Sequence, residues 1–402
     1  MTRILRYAAP LAIVVAALNL RPAITSVGPL LDEARGALGA TSTWAGLLTT
    51  IPVLCFAMAG SVAPALSRRA GPRVAIGLAL GVLAAGLLVR VLAGPSVMLA
   101  GTLVAACGVA CVAVLMPVVV RGSYPTRVGL VTGVYTAALQ FGAVLGFALT
   151  PPLADALGGW RPALAAWATL ALLAFAIWFA AAPGRSAPAV IRASRTPSES
   201  LSRNRLAWVI TLFFGLQALI AFVVIGWLPQ VLMDAGVSRG DAGLLLALLS
   251  LVALPISLLI PPFAGRPGPD GGPRGQSGWI VALGGCGLAG LAGLVVAPGA
   301  APLLWTVLLG LGMSVFSLAL TVIALRARTG DDTARLSGMA QGFGYLLAGT
   351  GPFLFGLLRD VTGGWETPLA MLIGVLLLQI VAGVAAGRPR YVTPPHEHGE
   401  AP

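Results

Sequence analysis

The chain has 402 residues, of which 58% are hydrophobic and 9% charged, with a mean hydropathy of +0.94 and a formal net charge of +12. A soluble fold of this length could not bury so much apolar surface, so lipid must be the solvent for most of the chain. The basic excess has to be placed along the chain before it is read as a sign of nucleic-acid binding.

A membrane-spanning helix takes about 20 consecutive apolar residues. The sequence offers twelve such stretches, at 10–31, 44–66, 73–92, 97–120, 130–152, 161–182, 207–232, 241–263, 278–297, 301–326, 335–358 and 367–387. They predict an all-α membrane protein with 12 transmembrane helices. The first stretch is long, follows a short Arg-containing start and carries Arg21 at its centre, which predicts a retained span and not a cleaved signal peptide.

Arg21 is the only ionisable side chain near the middle of a predicted span. A charge at bilayer depth costs from about 3 to more than about 10 kcal/mol, depending on the measure. It is therefore expected to face a wet, protein-lined cavity with a partner there. No Asp or Glu lies at comparable depth, which leaves two partners: an anionic or strongly polar cargo, or backbone carbonyls freed inside the bundle. Pro22 has no N–H, leaves the Leu18 carbonyl without its helical donor and disfavours helical geometry at Arg21. The first helix should thus kink or loosen at Arg21. The planar guanidinium suits two acceptor atoms, as in a carboxylate, nitro or nitrate-like group. Asn19 either joins Arg21 at the cargo or caps the freed carbonyls, and Thr25, one turn on, shares its face or packs the helix.

Cys55, Cys107, Cys111 and Cys286 all fall within apolar stretches. Cys107 and Cys111 share a helix face, but no His or third Cys is near in sequence, so they read as core residues and no cofactor is expected. The fifth stretch is Gly-rich and carries Tyr135 and Gln140; the eleventh carries Gln341 and Tyr345. Each of these four either lines a cavity or bonds a neighbouring helix. In the seventh stretch, Gln217 is the polar residue at a depth similar to that of Arg21. Asp155, Arg161, Asp360 and Glu366 sit at helix ends and are expected to make loop salt bridges or gate contacts. Asp331 and Asp332, among Arg326, Arg328 and Arg335, read as a latch or a solvated turn; His396 and His398 lie in the polar tail.

Nineteen of the 25 basic residues, all arginines, fall in one set of alternate connections and tails, among them Arg3, Arg6, Arg68, Arg69, Arg73, Arg326 and Arg390. The opposite set holds Arg35, Arg90, Arg161, Arg239 and Arg359 with several acids. By the positive-inside rule both termini and the central loop are cytoplasmic. The charge orients the protein in a cell membrane, and no nucleic-acid partner is expected.

The chain also repeats itself. Gly39, Ala45-Gly46-Leu47-Leu48, Pro64 and Arg69 match Gly236, Ala242-Gly243-Leu244-Leu245, Pro261 and Arg266, all at a spacing of 197. Gly133, Gly146, Asp155 and Gly158-Gly159-Trp160 match Gly338, Gly351, Asp360 and Gly363-Gly364-Trp365 at 205, the longer loop Arg266–Ser277 supplying the difference. The repeat predicts two pseudo-symmetric six-helix halves, 1–182 and 207–387, a cytoplasmic linker 183–206 and a cytoplasmic tail 388–402. This layout is similar to that of the major facilitator superfamily, in which cargo binds near the midplane between halves that rock about it.

Within that superfamily, Leu18-Asn19-Leu20-Arg21-Pro22-Ala23-Ile24-Thr25-Ser26-Val27-Gly28-Pro29 resembles the first helix of the cyanate/2-nitroimidazole transporter family. Trp44-Ala45-Gly46-Leu47-Leu48 resembles its second helix, and Gly226-Trp227-Leu228-Pro229 its second half. The resemblance implies transport of small, compact solutes and does not choose between uptake and efflux. Arg68 stands where the superfamily's loop usually has an acid, and Phe147 replaces the Pro of the antiporter glycine motif formed otherwise by Gly133, Gly142 and Gly146. The expectation is a monomeric secondary transporter for a small anionic or strongly polar solute, with Arg21, Asn19, Thr25, Tyr135, Gln140, Gln217, Gln341 and Tyr345 as candidate cargo contacts. Proton-coupled export of small drugs is the rival, weakened by the absence of a mid-span carboxylate or His; a sensor without transport is another. A membrane enzyme would need a nucleophile and base at one depth, which the spans lack.

Overall fold

A computed structural model of the chain describes residues 2–124, 128–181, 201–264, 275–327 and 330–392. Most of the linker 183–206, the loop 266–274 and the histidines of the tail lie outside the described residues. The elements in chain order are α1 (Thr2–Leu20), α2 (Pro22–Thr25), a 3-10 turn (Gly28–Leu30), α3 (Leu31–Ala37), α4 (Ser42–Ala70), α5 (Pro72–Val89), α6 (Pro95–Ser123), α7 (Val128–Leu157) and α8 (Trp160–Ala181). They continue with α9 (Arg205–Asp234), α10 (Arg239–Ala264), α11 (Ser277–Val296), α12 (Pro302–Met313), α13 (Val315–Leu325), α14 (Gly330–Thr362) and α15 (Glu366–Ala386).

Every predicted stretch is helical. Ten segments among the described residues are long and apolar enough to cross a membrane. The stretches at 241–263 and 335–358 are also helical, as α10 and α14, and at 26 and 33 residues both exceed the length a span requires. The main departure is at the N-terminus, where the expected helix 10–31 is replaced by the 19-residue α1, Thr2–Leu20, and then a run of short pieces reaching to Ala37. The expected helix 301–326 divides at Ser314 into α12 and α13.

The connections fall at two ends of the bundle. At one end, called distal here, Gly158 and Gly363 close α7 and α14 with φ of 79° and 70°, a left-handed geometry that a side chain would strain. At the other, proximal end, Trp178 Nε1 donates to Arg73 O, and Asn204 Nδ2 donates to Val392 O.

Packing follows the repeat. The α1 helix packs on α7 and α8, as α9 packs on α14 and α15; α5 packs on α6 and α8, as α11 packs on α12 and α15. The 3-10 turn and α4 meet α9, but the most extensive contacts joining the sets are α4 against α14 and α7 against α10. Both are close because of glycine: a Cβ on Gly46 would lie 2.7 Å from Pro352 O, and one on Gly243 2.6 Å from Phe147 O. Small residues let helix backbones meet in this way where lipid offers no hydrophobic drive. One buried apolar cluster joins Val27, Leu48 and Phe147 to Val223, Trp227 and Phe355, and continues through the second set of helices to Val392.

Candidate functional site

The site is built around the break in the first span. The α1 helix ends at Leu20, α2 begins at Pro22, and Arg21 is the turn residue between them, with φ −84° and ψ −42°. Pro22 and Pro29 each remove a helical donor. The Val27 N–H turns to Ile24 O, so Ala23 O has no backbone donor among the described residues. Glycines of α7 accept the broken segment. A Cβ at Gly142 would collide with Leu18 O, the carbonyl freed by Pro22, and one at Gly146 with the Thr25 hydroxyl. Loosening was expected from Pro22 together with non-helical geometry at Arg21. Arg21 instead keeps right-handed helical angles and its carbonyl still accepts from Thr25 N, so the break lies in the missing helical donors and not in the backbone angles. The glycine groove that receives the segment was not expected.

Arg21 is half-buried and lies close enough to Tyr345 of α14 for the two to interact electrostatically. No carboxylate pairs with it among the described residues. Tyr345 sits in a group of rings, 5.7 Å from Phe56, 5.3 Å from Phe214 and 6.3 Å from Phe222 between centroids. These three phenylalanines have no polar mark in the sequence and could not be singled out there. Asn19 is 1% exposed with neither amide atom bonded, and Gln217 is 1% exposed with its Nε2 unbonded. Buried polar atoms are nearly always satisfied, so these amides are open sites for a partner. Beyond Phe222 lies a narrow cleft of about 20 Å³, with room for about one water, lined also by Ile24, Thr49 and Thr102.

The other candidates lie differently. Thr25 donates to Arg21 O at 3.0 Å and packs on Gly146, and Gln341 donates to Ser337 Oγ at 2.7 Å along its own helix. Tyr135 is half-buried against the apolar cluster of α1, α5, α6 and α8, and Gln140 is half-buried on α7. Cys55 Sγ lies 3.7 Å from Cys107 Sγ, a neighbour hidden by sequence distance, yet no group of three or more metal-ligating side chains forms among the described residues.

Two arginines differ from expectation. Arg90 and Arg326 were placed with the charges of the connections, but they are 0% and 1% exposed. Arg326 donates to Ala386 O, Gly387 O and Gln276 Oε1, which ties the ends of α13 and α15 together. Arg90 turns inward from the end of α5, donating to Ala23 O at 2.9 Å and to Ser26 Oγ and Leu164 O at 3.3 Å. Arg21 is therefore not the only arginine removed from water. The freed Ala23 carbonyl, with the Ser26 hydroxyl beside it, draws Arg90 inward, and that carbonyl is free only once the first span is broken.

The distal mouth is bridged across both seams. Asp360 of α14 accepts from Ser42 N at 2.9 Å and from Thr43 N and Oγ1 at 2.5 Å, capping α4. Asp155 at the end of α7 and Glu33 both pair with Arg239 at the start of α10. Asp155 and Asp360 are repeat partners, as are Ser42 and Arg239. Asp360 lies past the predicted span 335–358. Burial pushes its carboxyl up, but the bonds from Thr43 and Ser42 outweigh this and hold it below the ordinary value. Arg161 instead anchors a loop, donating to Val91 O and Ala93 O.

The sequence profile of the Major Facilitator Superfamily matches residues 13–352. The chain belongs to the Major Facilitator Superfamily. The uncharacterized transporter YycB of Bacillus subtilis is 37% identical over 94% of this chain and 93% of its own length. The 2-nitroimidazole transporter of Escherichia coli is 36% identical, covering 94% and 95%, and the cyanate transport protein CynX of the same organism is 30% identical, covering 92% and 96%. The bacterial homolog of the lysosomal transporter Spinster, in an inward-facing and occupied conformation, superposes with a TM-score of 0.76 at 15% identity over 94% of this chain and 95% of its own. As a member of the superfamily, the protein is a multi-pass membrane transporter of small solutes and not an enzyme, and the resemblance to the cyanate/2-nitroimidazole family holds over nearly the whole chain.

Proposed function

We propose that this transporter carries a small anionic or strongly polar solute by alternating access, with the solute's acceptor atoms on the Arg21 guanidinium. The observation that carries the proposal is Arg21 itself. It is a half-buried cation at a helix break, beside Tyr345 and with no carboxylate partner among the described residues. An uncompensated charge there is stabilised when an acceptor arrives. Asn19 and Gln217 supply further donors, and Phe56, Phe222 and Tyr345 form an apolar wall. Cyanate and 2-nitroimidazole, the solutes named for two relatives, each present compact acceptor atoms to such a donor set.

In this reading residues 1–182 and 207–387 are the halves that rock, the proximal end with both termini is cytoplasmic, and the bridged distal mouth faces outward. The arginine asymmetry supports the orientation. The repeat and the two glycine seams support the halves.

The test is binding of cyanate, nitrate, small carboxylates and nitroimidazoles to the purified protein. Arg21→Ala should weaken binding of the preferred solute at least about 100-fold while the protein still folds. Arg21→Lys keeps the charge but loses the planar fork, so it should fall between the two. A well-folded Arg21→Ala protein that binds and transports normally overturns the proposal.

A further inference from the structure

We propose that Arg90 is a positioning residue for the cargo site, holding the broken segment of the first span in the shape that presents Arg21. The inference rests on the reading of Arg21 as the cargo's partner.

Arg90 does not cap its own helix. Its guanidinium reaches three oxygens on two other parts of the chain: Ala23 O and Ser26 Oγ in the broken segment, and Leu164 O in α8. No carboxylate meets it among the described residues, and its Nε is unbonded. A fully buried guanidinium held only by neutral oxygens is costly to keep, so neutralising an acid is not its role. What it supplies is donors. Ala23 O lost its helical donor when the Val27 N–H turned to Ile24 O, and Arg90 fills the vacancy. The planar fork spans acceptors that lie apart, which a single ammonium cannot do.

The path from Arg90 to Arg21 is short. Ala23 and Ser26 belong to one tight turn whose amides fold back on Arg21. Ile24 N, Thr25 N and the Thr25 hydroxyl all donate to Arg21 O, at 3.0, 2.9 and 3.0 Å. Ser26 N in turn donates to Pro22 O. Without the guanidinium, Ala23 O and Ser26 would be left unmet in a medium of low dielectric, and the turn would rewind or slide to satisfy them. Arg21 would move with it, because its carbonyl is the acceptor for the turn. Binding sites lose affinity when supporting groups let the contact residue drift by about an ångström.

The test uses the full-length protein in lipid nanodiscs with two probes, sodium cyanate and 2-nitroimidazole, and measures affinity and melting temperature for Arg90→Met, Arg90→Lys, Arg21→Lys and the double variant Arg21→Lys/Arg90→Met. Arg90→Met should weaken the better-bound probe about tenfold, and Arg90→Lys should not restore it. In the Arg21→Lys background the same change should cost less than about threefold, because the group being positioned has already been altered. Ser26→Ala, which removes one acceptor and keeps the fold, should show a smaller loss with the same dependence on Arg21.

A purely structural Arg90 would lower the melting temperature and leave affinity unchanged. A long-range field would be restored by Arg90→Lys. An undiminished Arg90→Met effect in the Arg21→Lys background would mean that Arg90 acts independently. Each of these overturns the proposal, with Ser26→Ala deciding if Arg90→Met does not fold. Normal binding by Arg21→Lys and Arg21→Ala overturns instead the reading of Arg21, and absence of binding of both probes to the unaltered protein overturns both.

Discussion

Neutralising Asp360 should open the distal mouth. Its carboxylate accepts Ser42 N at 2.9 Å and Thr43 N and Oγ1 at 2.5 Å, so it caps α4 from the opposite side of a seam. Losing a helix cap costs about 1 kcal/mol, and losing a negative charge at a helix N-terminus costs about 0.3–1 kcal/mol more before solvent screening. Asp360 is exposed, and Asn keeps one acceptor, so the lower end applies: about 1 kcal/mol, or roughly fivefold in the ratio of open to closed mouths. The change acts on the closed form alone, since the cap exists only when α14 meets α4.

Spin labels at Gly94 and Gly364, two distal sites where an added Cβ meets nothing within 4 Å, report the separation in a background with the four cysteines replaced. Asp360→Asn should raise the long-distance population about fivefold. Acid should do the same. The closed form holds the Asp360 carboxyl below its ordinary value, so the cap is complete above the usual carboxylate range near pH 4 and fades as pH falls through the lowered value. A distance distribution unchanged by both Asp360→Asn and acid would refute the latch.

Gly142→Ala should force α7 away from Leu18 O and lower both melting temperature and cargo affinity, at a cost of about 1–3 kcal/mol. Gly36→Ala, where nothing lies within 4 Å, should leave both intact. Arg326→Met removes the side-chain donor to Ala386 O, Gly387 O and Gln276 Oε1 and leaves Gly387 O with the Gln276 N–H, so the segment ending at Val392 should become protease-sensitive and the melting temperature should fall.

The spans, the repeat and the break at Arg21 were all legible, because each follows from one-dimensional patterns: apolar runs, matched spacings, and a proline after an arginine. The partners across helices were not. Nothing local marks Phe56, Phe214 or Phe222 as neighbours of Tyr345, since an aromatic residue in an apolar run looks the same whether it faces lipid or cargo. Arg90 was misplaced for a related reason. An arginine at the end of a span normally extends towards water, and its inward turn depends on a freed carbonyl and a hydroxyl, at Ala23 and Ser26, in a segment 67 and 64 residues earlier. Cys55 and Cys107 were likewise separated by sequence distance alone.

The two seams are repeat copies that have diverged in chemistry. One is held by a carboxylate on backbone N–H groups at Ser42 and Thr43; the other is held by ion pairs of Arg239 with Glu33 and Asp155. Mobile ions screen exposed charge pairs, with a Debye length of about 8 Å at physiological ionic strength and about 3 Å at 1 M. Bonds to fixed amides at a helix terminus, with donor and acceptor in contact, are less affected. The seam between α7 and α10 is therefore the more brine-sensitive of the two, since salt also screens, but less strongly, the Asp360 carboxylate at the α4 terminus. In concentrated salt the mouth should loosen from one side like a hinged door, so ionic strength, and not osmolality, should act on its opening.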